Sequence, residues 1–231
     1  NTVWAYARVG HSSPELFDKV AMIVLLRRHE FNSQEIANII WAYATVGHSS
    51  PQLFDKVAEV ALPRLREFTS QEIANMVWAY ATVRHSSPEL FGKVAEIALP
   101  RLDEFNSRAL STTVWSYATV GNSSPQLFDR VAEIALPRLD EFNSQALANT
   151  VWAYARVGHS SPELFDKVAM IVLLRRHEFN SQEIANIIWA YATVGHSSPQ
   201  LFDTIKSIPL PRLREFNSQA IANAVWAYAT V

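Results

Sequence analysis

Between residues 33 and 46 the chain reads SQEIANIIWAYATV, without glycine or proline. Asn32 is a good N-cap before this stretch, and Glu35 three residues on can close a capping box. Gly47 ends the stretch as a left-handed C-cap. The pattern predicts a helix, here called helix A. The next residues are HSSP, in which Ser50 can cap a second helix and Pro51 takes the first helical position, where its missing N–H costs nothing. That second helix, helix B, carries Phe54, Val57, Ala58, Ala61 and Leu65 at i, i+3, i+4, i+7 and i+11. This spacing makes one apolar helix face. Pro63 cannot donate to the carbonyl of Glu59, so the last turn of helix B is expected to kink or loosen. Leu26 and Leu174 replace that proline in two places, and Arg28 and Arg176 replace the leucine two residues later. Those two helices are expected to run straighter and to end with more charge.

The two-helix pattern recurs with a fixed step. Trp4, Trp41, Trp78, Trp115, Trp152, Trp189 and Trp226 are all the tryptophans of the chain, and each interval is 37 residues. Tyr6 and its copies through Tyr228 keep the same step. A period of this size marks an array of one supersecondary unit. The predicted fold is all-α: an α-solenoid of antiparallel helix pairs, with a right-handed superhelix expected. It reads as one array over residues 1–231. A partial repeat covers 1–30, full repeats cover 31–67, 68–104, 105–141, 142–178 and 179–215, and a partial repeat covers 216–231. No polar capping repeat is visible, so the ends are expected to expose apolar faces and to permit end-to-end self-association. Arg84 stands in the place of the C-cap glycine, and that turn is expected to be weaker or of another type. Residues 1–55 are identical to 149–203, an offset of four units. Sameness among units can therefore record recent copying rather than a functional demand.

Composition narrows the chemistry. Of 231 residues 49 % are hydrophobic, ample for a continuous core, and the formal net charge of −2 gives no global positive field. There is no cysteine, which excludes disulfides and thiolate metal sites. No apolar run approaches the ~18 residues that a membrane span requires. Histidine recurs singly in the HSS turn as His11, His48, His85, His159 and His196, with Asn122 in one unit. Units about 10 Å apart, a helix diameter, hold two such histidines too far apart to share a metal. They read as solvated turn residues, and no catalytic constellation stands out. The chain reads as a non-enzyme that needs no cofactor.

A binding surface is the remaining reading. Asn38 interrupts the apolar residues of helix A, where asparagine is a poor helix former. It recurs as Asn1, Asn75, Asn149, Asn186 and Asn223, with Thr112 the exception. Gln34, Asn38, Trp41 and Thr45 share one face at i, i+4, i+7 and i+11, with Arg8 and Arg156 at the Thr45 position. An amide can pair with base edges, and an indole can stack on a base. The indole is equally suited to filling the seam between units, and the amide to bonding a neighbouring helix. Fifteen of the 20 basic residues are arginine. Arg27, Arg28, Arg64, Arg66, Arg101, Arg138, Arg175, Arg176, Arg212 and Arg214 all fall at the ends of helices B. In register they would form one basic edge suited to phosphate, or simply complement the helix C-termini.

The string SQEIANIIWAYATVG, repeated as SQALANTVWAYARVG at 144–158, resembles the first helix of octotricopeptide repeats. Those units share a Pro/Ser-Gln start, a Leu-Ala-Asn centre, then Trp-Ala and a closing glycine. The 37-residue step is similar to that of the related heptatricopeptide repeats. Tyr43, where leucine is common, and the HSSP turn depart from the pattern. The resemblance implies an α-solenoid that binds single-stranded RNA in organelle RNA stability, processing or translation, in a mitochondrion or plastid. At one base per repeat, near-uniform units imply a near-homopolymeric target of about six nucleotides. A scaffold for a peptide or partner helix is the competing expectation, and a ligand-free spacer the third.

Overall fold

A computed structural model describes residues 2–11, 13–48, 50–206 and 214–230, with the side chains of Arg28 and of 204–206 outside that description. The fold is an all-α array of helix pairs. The helices A are α1 (Thr2–Arg8), α3 (Ser33–Thr45), α5 (Ser70–Thr82), α7 (Ser107–Thr119), α9 (Ser144–Val157), α11 (Ser181–Val194) and α13 (Ser218–Thr230). The helices B are α2 (Pro14–Arg27), α4 (Pro51–Ala61), α6 (Pro88–Ala98), α8 (Pro125–Ala135), α10 (Pro162–Leu174) and α12 (Pro199–Lys206). There is no strand among the described residues. The chain divides into two compact units, Asn1–Ala109 and Leu110–Val231. In the first, α1, α3 and α5 pack side by side, and α2 packs on α4. In the second, α11 packs between α9 and α13, and α10 packs on α12.

Helix A starts and stops as its local sequence dictates. Asn32, Thr69 and Asn180 each accept from the N3 amide, and Glu35, Glu72 and Glu183 bond back to the cap, closing full capping boxes. Asn143 caps α9 from its side chain, but Ala146 at N3 leaves no box to close. At the other end Gly47 has φ +66°. The Gly47 amide donates to Ala44 O and the His48 amide to Tyr43 O, the paired bonds of a Schellman motif. Arg84 departs from expectation: its turn is of the same type, with the equivalent bonds to Ala81 O and Tyr80 O and φ +55°. The two hydrogen bonds hold the turn, and the non-glycine residue carries a left-handed strain of about 1 kcal/mol.

Helix B differs from expectation at its start and meets it at its end. Ser50 occupies the cap position, but its side chain makes no cap bond. With φ −144° and ψ 75° it instead turns its carbonyl to the Leu53 and Phe54 amides. The proline-bearing helices stop as α-helix one residue before the leucine–proline pair and continue as 3₁₀ turns at Leu62–Glu67, Leu99–Glu104 and Leu136–Glu141. Where leucine replaces proline, α2 and α10 extend to Arg27 and Leu174.

The tyrosine of each helix A builds the seam to the preceding helix B. Tyr43 Oη donates to Phe17 O, and Tyr80 Oη to Phe54 O, both at 2.6 Å. Tyr154 to Phe128 and Tyr191 to Phe165 repeat the bond at 2.6 Å. The paired rings meet edge-on, with Phe54 and Tyr80 centroids 5.0 Å apart. All four tyrosines are fully buried. Burial, with a nearby aspartate (Asp18, Asp55, Asp129 and Asp166 respectively) adding to it, pushes each hydroxyl well above the usual phenol range.

Candidate nucleic-acid interface

The face predicted on helix A exists, and its amides are accessible. Asn38, Asn75, Asn149, Asn186 and Asn223 are all half-buried, and Gln34 is exposed. Asn75, Asn186 and Asn223 accept from the glutamine one turn earlier: Gln71 Nε2 lies 2.9 Å from Asn75 Oδ1, Gln182 Nε2 3.0 Å from Asn186 Oδ1, and Gln219 Nε2 2.9 Å from Asn223 Oδ1. Among the described residues these asparagines bond no neighbouring helix. Each bond occupies the asparagine oxygen and leaves its Nδ2 group without a partner among the described residues, while the Gln182 oxygen accepts from Asn217 Nδ2 at 3.2 Å. A free amide donor can pair with an acceptor on a base edge.

The tryptophans alongside are half-buried in each full repeat. Trp41 and Trp78 lie 6.3 Å apart with ring planes at 31°, and Trp152 and Trp189 repeat this at 6.3 Å and 34°. A base inserted between two rings needs about twice the ~3.4 Å stacking rise. The observed spacing falls short of that, so the half-buried indoles leave no slot for a base between them. Thr45 is exposed, but its hydroxyl donates to Trp41 O at 2.8 Å. Arg8 lies over Trp4, 5.1 Å from the ring centroid, a cation–π contact. Arg156 is exposed and has no carboxylate partner among the described residues.

The arginines at the ends of helices B are arranged differently. Arg64 binds Glu67 at 2.9 Å and donates to Phe31 O at 3.0 Å. Arg101 binds Glu104 at 2.9 Å and Phe68 O at 3.3 Å. Arg175 binds Glu178 at 2.7 Å and Phe142 O at 3.0 Å. Arg138 pairs with Glu141 at 3.3 Å, and Arg27 pairs with Glu30. Arg64, Arg101 and Arg175 thus clasp the end of a helix B to the start of its own helix A. Glu104 and Glu178 are held below the usual carboxylate range by the hydrogen bond from the arginine. At these five arginines the edge is close to neutral, because a glutamate follows each of them by three residues. Arg66, Arg176 and Arg214 are exposed, whereas Arg212 and the Arg28 side chain lie outside the described residues.

His11 is exposed, but the other turn histidines are not solvated. His48 Nε2 lies 2.9 Å from Asp18 Oδ1 with only 15 % of its side chain exposed. His85 with Asp55, His159 with Asp129 and His196 with Asp166 repeat the pair at 2.8–2.9 Å. Each imidazole also packs on the phenylalanine and tyrosine of its seam, as His85 does on Phe54 and Tyr80. The turn thereby ties each repeat to the helix B before it. A signal for this was present in the sequence: the aspartate 30 residues before the histidine recurs with it. The two vanish together, at Gly92 and Asn122.

An all-α array of near-identical helix pairs, with accessible amides on one helix face and no metal cluster among the described residues, is a helical repeat protein. The model of the RNA-editing substrate-binding complex 6 protein family (RESC6) matches residues 24–139 and again 121–231. The chain belongs to this family. No curated protein matches the chain.

Proposed function

We propose that this chain is a non-catalytic module that binds single-stranded RNA along the face of its helices A. The observation that carries the reading is the half-buried Asn75, Asn186 and Asn223, whose oxygens accept from a glutamine of their own helix and whose donors bond no other described residue. The family's name, RNA-editing substrate-binding complex 6 protein, supports an RNA ligand and protein partners within a complex. The octotricopeptide-like helix A supports the finer reading, a role in organelle RNA processing. The base contacts belong to Asn38, Asn75, Asn149, Asn186 and Asn223 with their glutamines, and Arg8 and Arg156 supply charge on the same face. The test is binding of oligonucleotide homopolymers across a salt series. Log K falls linearly with log[salt], by about 0.7 per phosphate contacted on a single strand. Absence of binding to every homopolymer at low salt overturns the reading.

A second reading, a protein-binding scaffold, has one observation in its favour. Met170 and Leu174 on α10 are 64 % and 78 % exposed, where three other repeats carry glutamate and proline. Met22 and Leu26 on α2 repeat this. Apolar pairs of this kind suit a protein surface. Met170→Glu restores the commoner residue. It abolishes partner capture if the scaffold reading holds, and leaves RNA affinity unchanged. No helix among the described residues is long and apolar enough to cross a membrane.

A further inference from the structure

Arg84 stands where the other described turns of this kind have glycine, at φ +66° to +73°. At those glycines an added Cβ meets nothing within 4 Å. Neighbouring atoms therefore do not oppose a side chain there, and its whole cost lies in the backbone. One repeat carries that cost, and the side chain that incurs it is exposed, with no carboxylate partner among the described residues. The arginines at the Arg64 register contrast with it, because Arg27, Arg64, Arg101, Arg138 and Arg175 each hold a glutamate. Arg84 instead shares the situation of Arg8 and Arg156, free of carboxylates at the C-terminal end of a helix A.

We propose that Arg84 is a phosphate-binding residue for a single-stranded RNA lying across α1, α3 and α5, an inference that rests on the RNA-binding reading above. Bases held at Asn38 and Asn75 leave the sugar–phosphate backbone beside the amide row. The C-terminal edge of these helices offers exposed cations, Arg8 and Arg84, whereas the glutamates that close the capping boxes, Glu35 and Glu72, sit at the N-terminal edge. A planar guanidinium with no competing carboxylate binds phosphate bidentately. Backbone strain that persists at one exposed residue of an otherwise glycine series fits a functional position.

Arg84→Gly and Arg84→Lys test this, with 12-nucleotide oligouridylate and oligoadenylate as probes, affinity measured against salt, and thermal melting in parallel. R84G is expected to melt higher than the parent, because the strain is gone. It is expected to bind RNA about fivefold more weakly at low salt, with the slope of log K against log[salt] shallower by about 0.7. R84K keeps the charge and with it the slope. Unchanged affinity and slope in R84G overturn the proposal, and so does a lower melting temperature, which would make the side chain a helix cap. If the parent binds neither probe, the RNA-binding reading itself falls, and this inference with it.

Discussion

Raising the pH probes the seams between repeats. Tyr43, Tyr80, Tyr154 and Tyr191 are fully buried and donate their hydroxyl hydrogens to a carbonyl. In the folded state their hydroxyls titrate well above the unfolded value of about 10. Below pH 10 both states keep the proton, and these groups give stability no pH dependence. Above pH 10 the unfolded chain loses phenolic protons that the folded chain retains, so stability falls as pH rises. Each group contributes a slope of about 1.4 kcal/mol per pH unit, and four together roughly 5 kcal/mol per pH unit. Against a total stability of order 10 kcal/mol, the helices should be lost within about two units above pH 10. The assay is a pH titration followed by phenolate absorbance and helical ellipticity on the same samples. The buried tyrosines should ionise only as ellipticity collapses, and Tyr80→Phe should reduce the steepness by about 1.4 kcal/mol per pH unit. Phenolate formation by all the tyrosines near pH 10, with ellipticity intact, would refute the buried seam.

Three further outcomes follow from named contacts. Asp55→Ala strips His85 of its partner and should cost about 1 kcal/mol, read as a lower urea midpoint. Arg101→Ala removes both the Glu104 pair and the bond to Phe68 O. It should lower the melting temperature by about 2–4 °C while leaving the salt slope of RNA binding unchanged, and a shallower slope would return this arginine to the phosphate contacts. Thr69→Ala removes the cap of α5 and should cost about 1 kcal/mol, with protection from hydrogen exchange lost first at the start of that helix.

Most of the fold is legible from local rules. Capping boxes at Asn32 and Glu35, the glycine turn at Gly47 and the loosening at Pro63 each depend on residues within a few positions, and the structure shows them where the pattern puts them. What the pattern reads less well is chemistry across 26 to 35 residues. His48 looks like a solvated turn residue until Asp18, 30 positions earlier, is brought beside it. Arg64 looks like a surface cation beside Glu67 until Phe31 O, 33 positions earlier, is brought up to accept from it. Ser50 fails as a side-chain cap because its backbone turns the carbonyl, not the hydroxyl, toward the free amides. The Asn38 row sits between these cases. Its common face follows from helical spacing, but its accessibility, and the glutamine that occupies the Asn75 oxygen, depend on how the helices A stack.

The central claim is that the amide row, rather than the arginine edge of helices B, holds the RNA. Its most direct test is the double variant Asn75→Ala, Asn186→Ala, measured for RNA affinity and for thermal melting together. Alanine is the better helix former, and these half-buried side chains bond only glutamines of their own helices. Melting should therefore stay level or rise slightly, while affinity for single-stranded RNA falls about tenfold or more. Unchanged affinity in a stably folded double variant would contradict the account.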